Sequence, residues 1–199
     1  MASLTSSTQK PRRHLRAALL LAAATLAGCA ARPANDIVEQ LDEASGTTLT
    51  RLDAPVELTT TTPRGANADP FAYVGAFETN RMGKRERWLW IAVPDERGDA
   101  RLPELSVAGR ELPLRSPVTN RGAGLVTAPY PKPAPWSAEH LFRLDDAALT
   151  ALSSGAEWRL RVPRRDAVAL EFAGRPEPTD LLRRFAERTG AGLAPPGAP

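Results

Sequence analysis

Phe71-Ala72-Tyr73-Val74-Gly75-Ala76-Phe77, followed by Arg87-Trp88-Leu89-Trp90-Ile91-Ala92-Val93, is the stretch whose reading decides the fold. In its first half Phe71, Tyr73, Gly75 and Phe77 alternate with Ala72, Val74 and Ala76, which is the two-residue period of a strand. The second half is apolar at every position from Trp88 to Val93, so neither face is suited to water. Such a run predicts a strand in the middle of a sheet, covered on both sides. Thr79 to Lys84 is the connection, where Asn80 and Gly83 tolerate positive φ.

Outward from this hairpin, toward the C-terminus, Leu105 and Val107 precede Ala108-Gly109-Arg110, and Leu112 and Leu114 follow it. This predicts a second hairpin, confined to an edge by Pro103 and Pro113, because proline cannot donate to a ladder. His140 to Leu144, Trp158 to Val162 and Ala167 to Phe172 read as further strands, with Pro163 to Asp166 as a turn. Asp145-Asp146 can cap a two-turn helix through Leu149 and Leu152, ended by Gly155. Thr179 is expected to cap a last helix with Leu181, Leu182 and Phe185 as its apolar stripe and Gly190 as its stop.

Toward the N-terminus, Thr47 to Leu52 and Val56 to Thr62 read as threonine-rich strands around an Asp53-Ala54-Pro55 turn. Before them, Asn35-Asp36 is expected to cap a short helix in which Ile37, Leu41 and Ala44 recur at helical spacing, with Gly46 as its stop. Strands in succession joined by short turns predict a mainly β fold. The expected form is an antiparallel β-sandwich-like domain with two or three short helices, an α+β arrangement being the alternative.

One segment breaks this rhythm. Ser116 to Trp136 carries Pro117, Pro129, Pro131, Pro133 and Pro135, with Tyr130 and Trp136 among them. Long loops inside compact domains are uncommon and often functional. Two readings stand side by side. Tyr130-Pro131-Lys132-Pro133-Ala134-Pro135-Trp136 is either an extended recognition arm displaying its aromatics, or a strap with Tyr130 and Trp136 tucked into the core.

The beginning of the chain has a different character. Lys10, Arg12, Arg13 and Arg16 form a positive leader without an acid, followed by an apolar run from Leu15 to Ala27. At about 12 residues this run is short of the ~20 needed to span a bilayer, and suits a signal peptide. It closes on Leu26-Ala27-Gly28-Cys29, which resembles the lipobox of bacterial lipoproteins at every position. The resemblance implies cleavage between Gly28 and Cys29, a diacylglyceryl group on the Cys29 thiol and a further acyl chain, such as palmitate, on the new amine. It also implies firm membrane attachment, since two or more acyl chains hold where one does not. Ala30 and Ala31 include no Asp, which by the same resemblance favours the outer membrane, periplasmic face. The expected organisation is a signal peptide (1–28), a lipidated tether (29–34), a single β-rich periplasmic domain (35–190) and a disordered tail (191–199).

The hairpin around Phe77-Glu78-Thr79-Asn80-Arg81-Met82-Gly83 is also similar to a group of proteobacterial lipoproteins with no assigned activity. That likeness covers the hairpin alone and implies no chemistry.

Charge and composition exclude several functions. The chain has 26 basic and 23 acidic residues; without the leader's four basic residues 22 remain against 23, a net charge of −1. The basic balance therefore belongs to the leader and does not point to nucleic acid. Cys29 is the single cysteine, so no internal disulfide is available. A metal site would rest on His140 and carboxylates, so neither metal nor cofactor is expected. Ser137 and His140 lie close together but lack a Gly-x-Ser-x-Gly elbow, and Asp145-Asp146, which could be an acid–base pair, reads first as a helix cap. Gly122-Ala123-Gly124 lacks the third glycine of a dinucleotide loop.

Two basic clusters, Arg81-Lys84-Arg85-Arg87 and Arg161-Arg164-Arg165, could meet lipid head groups or acidic glycans, but solvated strand ends are the favoured reading. The sequence thus predicts a non-enzymatic binding or scaffolding domain held on the bilayer through acylated Cys29. Its partner would be an envelope protein; a peptidoglycan- or glycan-binding module is the alternative. Tyr130, Trp136, Arg81 and Arg85 are the candidate contact residues.

Overall fold

A computed structural model describes residues 37–61 and 69–190. Within them the order is β1 (Ile37–Asp42), β2 (Thr47–Leu52), β3 (Val56–Thr60), β4 (Phe71–Arg81), β5 (Lys84–Pro94), β6 (Glu104–Val107), β7 (Arg110–Glu111) and β8 (Ser137–Leu144). Helix α1 (Asp146–Leu152), β9 (Trp158–Val162), β10 (Leu170–Gly174) and helix α2 (Leu181–Arg188) complete it. The leader, Cys29, the tether, Thr62 and the 191–199 tail lie outside the described residues. The fold is mainly β and antiparallel, as expected, and its ten strands share one hydrogen-bonded sheet that is not closed.

β4 and β5 are its spine. β5 pairs with β4 on one side and β8 on the other, which is the central position that its apolar run predicts. The far edge of β4 carries two strands end to end: β2 along Phe77–Asn80 and β3 along Phe71–Val74. Between them four residues, Leu52 to Pro55, stand opposite two, Gly75 and Ala76, so the ladder bulges. There the sheet forks. β1 extends it beyond β2, while β10, β9, β6 and β7 extend it beyond β3.

Strand alternation sorts the β5 side chains into two cores. Leu89, Ile91 and Val93 enter the larger one, shared with Ala72 and Val74 of β4, Trp158, Leu160 and Val162 of β9, and the apolar faces of both helices. Trp88, Trp90 and Ala92 enter a second core on the opposite face, with Phe77, Leu49 and Leu141. Its cover is the proline-rich segment, through Ala123, Leu125 and Tyr130. Among the described residues both cores draw on the chain from Ile37 to Ala186, all within one compact unit, Asn35–Pro199.

Three local expectations are corrected. Ile37 to Asp42 is a strand and not a helix: it pairs along its whole length with β2, and Ser45 and Gly46 donate to Asp42 O in the turn between them. The helical spacing of Ile37, Leu41 and Ala44 is overridden by that pairing. The strand expected from Ala167 begins at Leu170, because the chain first makes an isolated bridge from Arg164 to Ala100. Asp180, not Thr179, is the N-cap of α2, and it makes no side-chain capping bond.

Candidate functional site

The β4–β5 connection is a two-residue turn in which Met82 and Gly83 both have positive φ, 53° and 86°. That geometry matches the twist of the flanking strands, and Gly83 N–H donates to Asn80 Oδ1 at 3.1 Å. Glycine takes such a conformation freely, whereas methionine does so at a cost. Met82 is nonetheless there and 99% exposed.

Behind this tip, on the face of the second core, lies a pocket of about 250 Å³. Its floor is Thr47, Thr79 and the Gly122-Ala123-Gly124 turn, and its walls carry Arg81, Lys84 and Arg121. The floor is held by hydrogen bonds. Thr47 Oγ1 donates to Gly124 O at 2.9 Å, and Trp88 Nε1 donates to Thr79 Oγ1 at 3.0 Å. The one carboxylate in the pocket, Glu86, contacts Lys84 at 3.2 Å and Arg143 of β8 at 3.1 Å. The lining thus holds three cations and one carboxylate, and that carboxylate is also engaged by Arg143 from outside. Among the described residues, neither Arg81 nor Arg121 has an ion-pair partner.

The expected pair Arg81 and Arg85 is divided by strand alternation. Arg81 faces the pocket, whereas Arg85 turns to the other side of the sheet beside Glu78 at 3.9 Å and donates to Thr189 O at 3.5 Å. Arg87 accompanies it, 3.7 Å from Glu78 and paired with Asp146. Glu78 is buried and its Oε2 accepts no hydrogen bond, so burial raises its carboxyl above the ordinary range while Arg85 and Arg87 oppose the rise. Arg121 and Arg143 belong to the site without having been singled out in the sequence. Their signal is spatial: only the fold of the proline-rich segment and the pairing of β8 with β5 bring them to the tip.

Tyr130 and Trp136 have opposite fates. Tyr130 is buried, with its ring 5.1 Å from Trp90, Arg51 over its face at 5.2 Å, and its hydroxyl donating to Ala76 O at 2.8 Å. That carbonyl lies at the bulge, where β2 and β3 leave it without a ladder partner. Arg51 serves the other side, donating to Leu52 O at 3.0 Å and Asp53 O at 2.8 Å. Full burial drives the Tyr130 hydroxyl strongly up, so it remains a donor. The ring fits because position 75 is glycine: a Cβ there would lie 2.3 Å from Tyr130 Cε2. Around Tyr130 the segment is therefore a strap. It is tied down again where Val126 N–H and Ser45 Oγ donate to Asp42, hydrogen bonds that lower the Asp42 carboxyl. Trp136 is half-exposed at 50% and is the aromatic that remains available.

Other residues considered for chemistry are placed apart. Ser137 and His140 fall on opposite faces of β8, as an odd separation along a strand requires, so they do not form a pair. The Asp145 carboxylate accepts from Ala148 N–H at 2.8 Å and is a helix cap. In the second basic cluster Arg161 pairs with Glu104 at 2.9 Å and Arg164 with Asp99, through Nε at 2.6 Å. A larger groove of about 620 Å³ on the outer face of β6, β9 and β10 is acidic on balance, with Glu104, Glu111, Glu157 and Glu171 against Arg159 and Arg161, which pair with Glu157 and Glu104. Among the described residues no helix is long and apolar enough to cross a membrane, and no three His, Cys, Asp or Glu side chains converge. Comparison with protein families, curated proteins and solved structures finds no match to this chain.

Proposed function

We propose that the chain is a bacterial envelope lipoprotein whose β-rich domain binds or scaffolds on the periplasmic side of the outer membrane. The observation that carries this reading is Leu26-Ala27-Gly28-Cys29 closing a short apolar run behind a basic leader. Cys29 then carries the acyl chains, and the domain from residue 35 onward faces the periplasm. A binding role is supported by the pocket behind the β4–β5 tip. Cations gathered without matching carboxylates repel one another and add nothing to the fold, which is the pattern of a surface kept for a partner.

The test is Cys29→Ala in cells fed labelled palmitate. Label should be lost and the longer precursor should accumulate; an unchanged mature protein that still partitions into detergent would sink the anchor. Cross-linking in intact cells, with a form carried to the periplasm without Cys29 as control, should capture an envelope protein. Capture of nothing, with or without the anchor, would count against a scaffold.

A glycan-binding reading retains one supporting observation, the half-exposed Trp136 on its proline-rich arm. Trp88, Trp90 and Trp158 are buried, so fluorescence reached by a soluble quencher belongs to Trp136. Muropeptides should protect it if it is a sugar platform, and unaltered quenching would dismiss that role.

A further inference from the structure

We propose that the pocket of Arg81, Lys84 and Arg121 binds the phosphate of anionic lipid head groups, and that Met82 enters the bilayer surface beside it. The pocket is below the ~300–1,000 Å³ of ordinary small-molecule sites, at about 250 Å³, so it suits an oxyanion and not a larger ligand. Its walls supply guanidinium and ammonium donors, and Arg121 and Arg81 have no competing carboxylate among the described residues. Glu86, the one acid present, is already held by Arg143 from outside the pocket. The floor hydroxyls are engaged as well: Thr47 donates to Gly124 O and Thr79 receives the Trp88 indole N–H. An incoming anion therefore meets donors at the walls and few free acceptors below. Arginine suits phosphate through two parallel N–H donors, and lysine as a point charge.

Met82 selects the source of that phosphate. Free phosphate needs no apolar neighbour, yet the residue between Arg81 and Lys84 is a methionine, 99% exposed and held at positive φ. An apolar side chain projecting among cations is the arrangement by which proteins rest on an anionic membrane surface. The β6–β7 hairpin offers the contrast. Its turn has the same positive φ at Ala108 and Gly109, but Ala108 has no apolar reach.

The proposal rests on the envelope reading only for the presence of a membrane nearby. It is tested on the chain from Ala30 onward, which keeps every core residue among the described residues and lacks the acylated Cys29. Flotation with phosphatidylglycerol–phosphatidylcholine vesicles should show binding that weakens with salt, and phosphatidylcholine vesicles alone should show little. Arg81→Gln with Arg121→Gln should reduce binding at least tenfold with an unchanged melting curve, and Met82→Ser several-fold. Arg161→Gln, from the matched cluster, should leave it unchanged. Equal binding to both vesicle types, or full binding by the double variant, would overturn the proposal. Binding of inorganic phosphate without vesicle binding would overturn the lipid source. Failure here leaves acylation of Cys29 untouched, and an unacylated Cys29 in cells leaves vesicle binding untouched.

Discussion

Two stretches of this chain have the same basic character, Arg81 to Arg87 and Arg161 to Arg165, yet the fold treats them in opposite ways. In the second, each central arginine meets an acid from a neighbouring segment: Arg161 takes Glu104 and Arg164 takes Asp99. In the first, alternation along β4 and β5 splits the cluster between two faces. Arg85 and Arg87 turn toward buried Glu78, while Lys84 and Arg143 hold Glu86, and Arg81 and Arg121 stand beside them without an ion pair among the described residues. A run of charge in sequence is therefore not a patch. The cross-strand partner decides whether it is structural or free, and that partner lies far away along the chain.

The largest effect on this contrast should come from the strap, because Arg121 and the floor of the pocket belong to it. Tyr130→Ala should destabilise the fold by about 3–5 kcal/mol in urea unfolding, and release Arg121 so that the two clusters no longer differ in anion binding. Gly75→Ala should act alike by expelling the same ring. Tyr130→Phe keeps the ring and should lose only about 1 kcal/mol with the bond to Ala76 O. A Tyr130→Ala variant of full stability would mean that the segment is not a strap.

Next comes the matched cluster. Asp99→Ala leaves the nearly buried Arg164 without its acid, and about 3 kcal/mol of stability should be lost. A cost within 0.5 kcal/mol, the ~0.5 typical of surface changes, would erase the distinction between structural and free arginines.

Glu78 sharpens the comparison from within the first cluster. Burial raises its folded carboxyl above the ordinary 4.5, so the fold favours the neutral form. The stability this group contributes is complete below pH 4.5 and is lost as pH rises through the folded value. Glu78→Gln should therefore melt higher than the parent at pH 7, with the gain vanishing as pH falls below 4.5. A variant less stable at pH 7 would mean that Arg85 and Arg87 outweigh the burial.

The smallest effect belongs to the open pocket itself. Arg81→Gln and Arg121→Gln should each change stability by no more than about 0.5 kcal/mol, since the fold uses neither charge. A larger loss in differential scanning calorimetry would return these residues to a structural role.

Much of the fold was legible because it rests on local period. The β5 run announced a doubly covered strand, and the two helices announced their stripes and stops. β1 is not legible, because Ile37, Leu41 and Ala44 match a helix and only the length of its pairing with β2 outweighs that local signal. The forked sheet was not legible, since a bulge at Leu52 to Pro55 leaves no mark beyond a proline turn. Of the candidate site residues, Arg81 stands in the pocket, Arg85 does not, and Arg121 had no local feature to mark it. The double meaning of the proline-rich segment was resolved residue by residue: Tyr130 is structural, Trp136 open.

The contact between Gly75 and the Tyr130 ring has a consequence for how sequences of this kind can drift. The two positions are a lock and its key, 55 residues apart in the chain, and neither can be replaced freely alone. Any descendant that gains a side chain at 75 must first shorten the one at 130, and must then find another donor for the carbonyl at 76. Paired change at these positions is the trace this architecture should leave among its relatives, and it would identify them after the surface charges have scattered.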